Sequence, residues 1–264
     1  MHRMPKFLPL LLLAFGCLAP ALLAQRASMG LGGASYIGLG LQSRTLDWDV
    51  TKAESGGQTF NGLDYSTSVE STAVGINSGF SIPGVSFLKR TRFEFLMAGV
   101  SSDELKMRLP GAATESTFSD GVGIDFGMGV GVDLGMSLSA GEIGGFVGLG
   151  LSLTFIGYDG SEDNIFSKAG YARVQLPLPI GAYYQYEMAT FTLRTELGID
   201  IGADSAVVGT SDEGSDSGVA YTLEPENAVN LFLNVSAKFT PIAVALGLDF
   251  GRVAGLRLMV AFAF

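Results

Sequence analysis

Histidine occurs once in the 264 residues, as His2, cysteine once, as Cys17, and tryptophan once, as Trp48. Each shortage removes chemistry. Beyond residue 24 no imidazole or thiol remains, so Ser/His, Asp/His and thiolate constellations cannot be assembled, nor a zinc site from the ligands zinc prefers. A lone cysteine supports no disulfide framework. Basic residues are also short: 16 Lys and Arg face 26 Asp and Glu, a net charge of −10. Such a chain is repelled by phosphate, which excludes nucleic acid as the natural partner. Finally, no apolar run of about 18 residues occurs after residue 24, so a helical membrane protein is excluded.

What is present begins with Arg3 and Lys6 ahead of an apolar run from Phe7 to Leu23, with small residues Ala21 and Ala24 near its end and no acidic residue before Asp47. This reads as a secretory signal peptide over 1–24, leaving 25–264 as one domain. Its removal takes two basic residues and leaves a net charge of −12. The stretch Ala14-Phe15-Gly16-Cys17 resembles a lipoprotein processing site only loosely, with Ala14 where such sites carry Leu. Glycine, at 37 residues, recurs inside apolar segments where a helix would lose roughly 1 kcal/mol at each. The body of the chain is therefore β.

Alternation of apolar and polar residues defines the strands, because a sheet can cross lipid only if it closes and pairs every backbone group. Leu256, Leu258, Val260, Phe262 and Phe264 share one face, with Arg257 opposite. The same pattern runs through 229–239 and 242–250, separated by Thr240-Pro241, and through 191–201. From Val122 to Leu138 the apolar face is opposed by Asp125, Asp133 and glycines such as Gly127, Gly129 and Gly131, and a turn near Ala140-Gly141 leads into 147–155. Weaker candidates cover 30–41, 68–80, 91–100 and 171–187. The fold expected is all-β: a closed antiparallel up-and-down transmembrane barrel of about ten strands, with eight or twelve as alternatives. Short connections near 81–90, 138–142, 187–190 and 240–241 alternate with long ones near 42–66, 101–120, 158–170 and 203–226, expected as external loops. Aromatics fall where interfacial girdles belong, with Phe80, Phe93, Tyr184, Tyr186, Phe191, Phe239 and Phe264 at the lower rim and Tyr158, Tyr171 and Phe250 at the upper.

With its leader, its alternating strands and its end at Val260-Ala261-Phe262-Ala263-Phe264, the chain resembles the small bacterial outer-membrane β-barrel families. The resemblance implies an assembly signal at Val260, Phe262 and Phe264, read by the barrel-insertion machinery, and an outer-membrane location. Architecture does not fix function. Enzymes among such barrels, including omptin-like proteases, phospholipases and lipid A modifying enzymes, depend on histidine, so enzymatic activity and cofactors are not expected here.

The inner face collects Arg92, Glu94, Asp125, Asp133, Arg173, Arg194, Glu196, Asp200, Lys238, Asp249 and Arg257. These either line a narrow ion path or pair into a network filling a slim lumen; neighbours such as Arg194 and Glu196 favour pairing. Inner glycines leave room for water. The acidic segment from Asp204 to Glu226 lacks calcium-loop spacing and reads as solvated. Trp48 reads as either a partner contact or a headgroup anchor. The expected function is a non-enzymatic surface protein whose loops at 42–66, 101–120 and 203–226 meet outside molecules or stabilise the envelope. The alternative is a narrow porin-like channel for ions or small polar solutes.

Overall fold

The computed structural model describes residues 34–63, 65–108, 115–160, 166–211 and 218–264. The expected signal segment with Cys17, and Asp212, Glu213 and Asp216 of the acidic segment, lie outside them. Among the described residues the elements are all strands: β1 (Tyr36–Ser55), β2 (Gln58–Asn61), β3 (Ser66–Pro83), β4 (Leu88–Arg108), β5 (Glu115–Leu138), β6 (Gly141–Gly160), β7 (Lys168–Leu176), β8 (Pro179–Met188), β9 (Phe191–Asp200), β10 (Ala203–Ser211), β11 (Gly218–Pro225), β12 (Asn230–Phe239), β13 (Ile242–Gly251) and β14 (Val253–Ala263).

Ten of them close an antiparallel barrel in the order β1, β14, β13, β12, β9, β8, β6, β5, β4, β3 and back to β1. Turn chemistry sets the hairpins. Gly56 and Gly57 both carry positive φ between the paired Ser55 and Gln58, the requirement of a tight two-residue hairpin turn. The links at Ala189-Thr190 and Thr240-Pro241 are equally short, and the Thr240-Pro241 peptide is cis. The turns at Ala189-Thr190 and Thr240-Pro241, with Tyr36 and Phe264, define the lower end.

Above this ring the wall continues through fewer strands. The β13–β14 hairpin stops at Gly251-Arg252, and beyond it β11 bonds directly to the upper part of β1, from Trp48 opposite Pro225 to Ser55 opposite Val219. Together with β6–β7, β7–β10 and β10–β11 this makes a second circuit, a neck on the lower barrel. On its other side the β3–β4 backbone ladder ends at Ser71 opposite Ser102. Beyond that pair, side chains bridge the strands: Thr67 and Tyr65 hydroxyls donate to the carbonyls of Lys106 and Arg108, and Ser102 to that of Glu70.

The long connections expected as loops are thus largely strand, and the reason is a change of sense in the alternation. On β1 the outward residues are Ile37, Leu39 and Leu41 below, then Asp47 and Asp49 above; the inward ones are glycines and Gln42 below, then Leu46, Trp48 and Val50 above. The period of two persists, but apolar-out becomes apolar-in. The same inversion takes Leu105 and Met107 of β4, Val208 of β10 and Val219, Tyr221 and Leu223 of β11 inward. An outward-facing apolar belt gives way to a wall with polar residues outside and an apolar core within. Burying each large side chain of that core contributes about 1.5–3 kcal/mol.

Candidate functional site

The lumen is where the chemically able side chains converge, and it is filled in layers. At the bottom Tyr36, Met259 and the alanines 243, 245, 261 and 263 pack on one side, and Phe146, Tyr183 and Phe232 on the other.

Above them lies an ion-pair network centred on Asp133, which is fully buried. The β4–β5 register sets Arg90 opposite Asp133 and Arg92 two residues along. Asp133 is reached by Arg90 at 3.4 Å, Arg92 at 3.0 Å and Arg194 at 2.9 Å. Glu196 takes Arg92 at 3.1 Å and Arg194 at 2.8 Å, and accepts from Asn234 at 3.2 Å. Arg90 also pairs with Glu142 at 2.5 Å, and Arg257 with Asp249 at 3.0 Å. Arg194 lies 4.0 Å from the ring centroid of Tyr183 and Arg92 5.7 Å from that of Phe146. The inner glycines are explained by this crowding: Arg92 sits across from Gly131, which in turn faces Gly148, so the missing side chains accommodate guanidinium groups.

A third layer spans the level where the hairpin ends. Arg44 pairs with Asp125 at 3.1 Å and donates to Ser71 and Thr154. Arg252, at the hairpin tip, turns inward to Asp200 at 2.7 Å, and Arg173 holds Asp204. Asp200 accepts the amides of Leu178 and Gly202 at 2.8 and 3.1 Å, where β7 gives way to β8 and β9 to β10. One carboxylate thus satisfies amides that the strand breaks leave without ladder partners.

Over this layer lies the apolar core of the neck. Trp48 is 0% exposed, edge-on to Tyr171 at 6.3 Å, with Arg173 5.8 Å from its ring centroid. Trp48 Nε1 and the Tyr171 hydroxyl have no hydrogen-bond partner among the described residues, so packing holds both rings. Burial pushes the phenol of Tyr65 up to about 12, and raises those of Tyr158, Tyr171 and Tyr221 as well. A cavity of about 60 Å³, lined by Gln42, Arg44, Asn77, Ser152, Arg173 and Arg257 among others, lies between the charged layers and the core. At roughly 10–15 Å³ per water it holds a few water molecules.

Of the residues expected on the inner face, Arg92, Glu94, Asp125, Asp133, Arg173, Arg194, Glu196, Asp200, Asp249 and Arg257 are all buried in the lumen. Lys238 is half-buried near the lower rim, with no ion pair to the network among the described residues. Arg92 forms ion pairs with Asp133 and Glu196, and Glu94 lies beside it on the same inner face. Three expectations are corrected. Asp204 belongs to the interior, because Arg173 faces it across the wall; Trp48 is neither a partner contact nor a headgroup anchor, because it points into the neck; and Tyr158 and Tyr171 face the same core rather than an upper girdle. Sequence reasoning missed Arg44, Arg90, Glu142 and Arg252. Arg90 lay one residue before the strand expected at 91–100, whereas Arg44 and Arg252 had no apolar-out strand to mark them.

Phe80 stacks on Phe93 at 4.6 Å and Phe191 packs at a tilt against Phe239 at 4.9 Å on the outer lower surface, and Val260, Phe262 and Phe264 are exposed on the apolar belt.

The sequence matches no family model and no curated protein. Solved structures do match. The outer membrane protease OmpT from Escherichia coli aligns with a TM-score of 0.56 at 10% identity, over 87% of this chain and 96% of that one. A major outer membrane protein from Thermus thermophilus aligns at 0.40 and 16%, over 86% and 99%. The Pseudomonas putida toluene transporter TodX aligns at 0.35 and 10%, over 94% and 93%. At such identities the likeness is one of fold, and the fold is that of an outer-membrane β-barrel.

Proposed function

We propose that this chain is an integral outer-membrane barrel without enzymatic activity, exported by its N-terminal segment. It acts through the outside of its neck, by surface interaction or by stabilising the envelope. The observation that carries this reading is the filled lumen: among the described residues, paired charges occupy the lower barrel and an apolar core occupies the neck. The absence of histidine beyond His2 supports the non-enzymatic part. The belt of exposed apolar side chains makes outer-membrane lipid the partner around the lower barrel, and Val260, Phe262 and Phe264 serve as its assembly signal. Outside ligands would meet the neck wall, whose outward residues Asp47, Asp49 and Glu70 are acidic, rather than free loops.

A narrow channel is the second reading, favoured by the arginine-lined cavity. Planar-bilayer recording separates the two. The purified protein is expected to give no discrete conductance steps; steps whose size changes in Asp133→Asn or Arg194→Gln would establish the channel instead.

A further inference from the structure

The apolar belt does not have one height. On β5 the outward residues are apolar from Val122 to Leu138, on β6 from Ile143 to Phe155 apart from Gly145, and across β7 and β8 from Val174 to Met188. On the opposite flank the run covers only Ala254 to Phe264 on β14 and Ile242 to Phe250 on β13. At about 3.3 Å per residue and a tilt of about 40°, the β5 run stands on the order of 40 Å tall and the β14 run roughly 25 Å. An apolar band of about 25 Å suits the outer membrane. The short flank fits it; the tall flank overshoots at both ends, and near those ends Val122 is 71% and Met136 65% exposed. Overshoot at both ends cannot be relieved by tilting the barrel, since tilting lowers one end as it raises the other.

We propose that the tall flank of β5, β6 and the β7–β8 wall is the contact surface for a second copy of this chain. Two copies inserted in the same direction are related by a twofold axis along the membrane normal. Such an axis sets tall flank against tall flank with both ends at matching heights. Mismatch of this kind is relieved by association in membranes. Three strands at about 4.8 Å spacing and roughly 30–40 Å of apolar height give on the order of 500 Å² of flat projection; side-chain relief lifts the accessible area toward the roughly 800 Å² per partner of a stable interface. No charged residue interrupts the outward face of β5 between Val122 and Leu138.

The inference rests on the barrel spanning a membrane, and the experiment keeps the two apart. Heat-modifiable migration on a detergent gel reports the folded barrel, while light scattering in mild detergent reports mass. The folded protein is expected to scatter with twice the mass of one chain, and the double variant Val122→Lys/Met136→Lys to return to single-chain mass with migration unchanged. In native membranes, cysteine at Val122 with Cys17→Ser is expected to cross-link between copies through a bifunctional maleimide, and cysteine at Leu246 on β13 to remain single. If the lysine variant does not fold, this cross-linking comparison decides. Single-chain mass for the parent protein, a dimer untouched by the lysines, or equal cross-linking at both positions would overturn the proposal.

Discussion

Leu39 and Leu46 lie on the same strand of the same wall, yet one faces outward and is exposed while the other is buried in the interior. The backbone does not change between them; the surroundings do. On the proposed membrane reading the solvent around the lower barrel is lipid, so apolar side chains gain by facing out and the charges retreat inside, where they survive only by pairing. Around the neck the solvent is water, and Trp48, Tyr171 and Tyr221 form an interior of the kind found in soluble barrels. One continuous sheet therefore holds two kinds of core, and they should fail differently.

The sharpest contrast comes from removing charge below. Asp133→Ala strands Arg90, Arg92 and Arg194 without their shared carboxylate, and a loss of about 3–5 kcal/mol is expected in denaturant unfolding from detergent. A much smaller loss would mean that water reaches the network and screens it. The next test plants the same charge on both outer faces. Leu39→Lys puts an ammonium into lipid and should cost about 2–4 kcal/mol, whereas Asp49→Lys on the neck should stay within about 0.5 kcal/mol. Equal costs would erase the distinction between the two outer surfaces. The gentlest test is alkaline titration. The Tyr65 phenol, raised to about 12 by burial, binds its proton more tightly folded than unfolded. Its stabilising share is complete below about pH 10 and is lost as pH rises toward 12. Tyrosinate absorbance from the neck should therefore lag that of unfolded protein across this window; coincident curves would mean a wetter neck.

The contrast also explains what the sequence disclosed. The ten-strand ring was legible because Leu256 to Phe264, Ile242 to Phe250 and Val122 to Leu138 alternate in the sense lipid demands, with inner charges opposite. The upper halves of β1, β4, β10 and β11 were not, because the template sought was apolar-out, and Leu46-Asp47-Trp48-Asp49-Val50 satisfies the period with the opposite sense. Only pairing partners reveal which face of such a segment is inside, and those come from the far side of the chain: Trp48 opposite Pro225, Arg173 against Asp204, Arg44 against Asp125. Ion pairs between distant segments leave no mark in local periodicity, so Arg44 and Arg252, paired with Asp125 and Asp200, fell outside the expected inner set.

The early end of the β13–β14 hairpin gives β1 two successive neighbours along a single edge, β14 from Tyr36 to Leu46 and β11 from Trp48 to Ser55. The cylinder is consequently shut by two fasteners rather than one seam. Arg252, paired with Asp200, stands at the junction where one fastener gives way to the other.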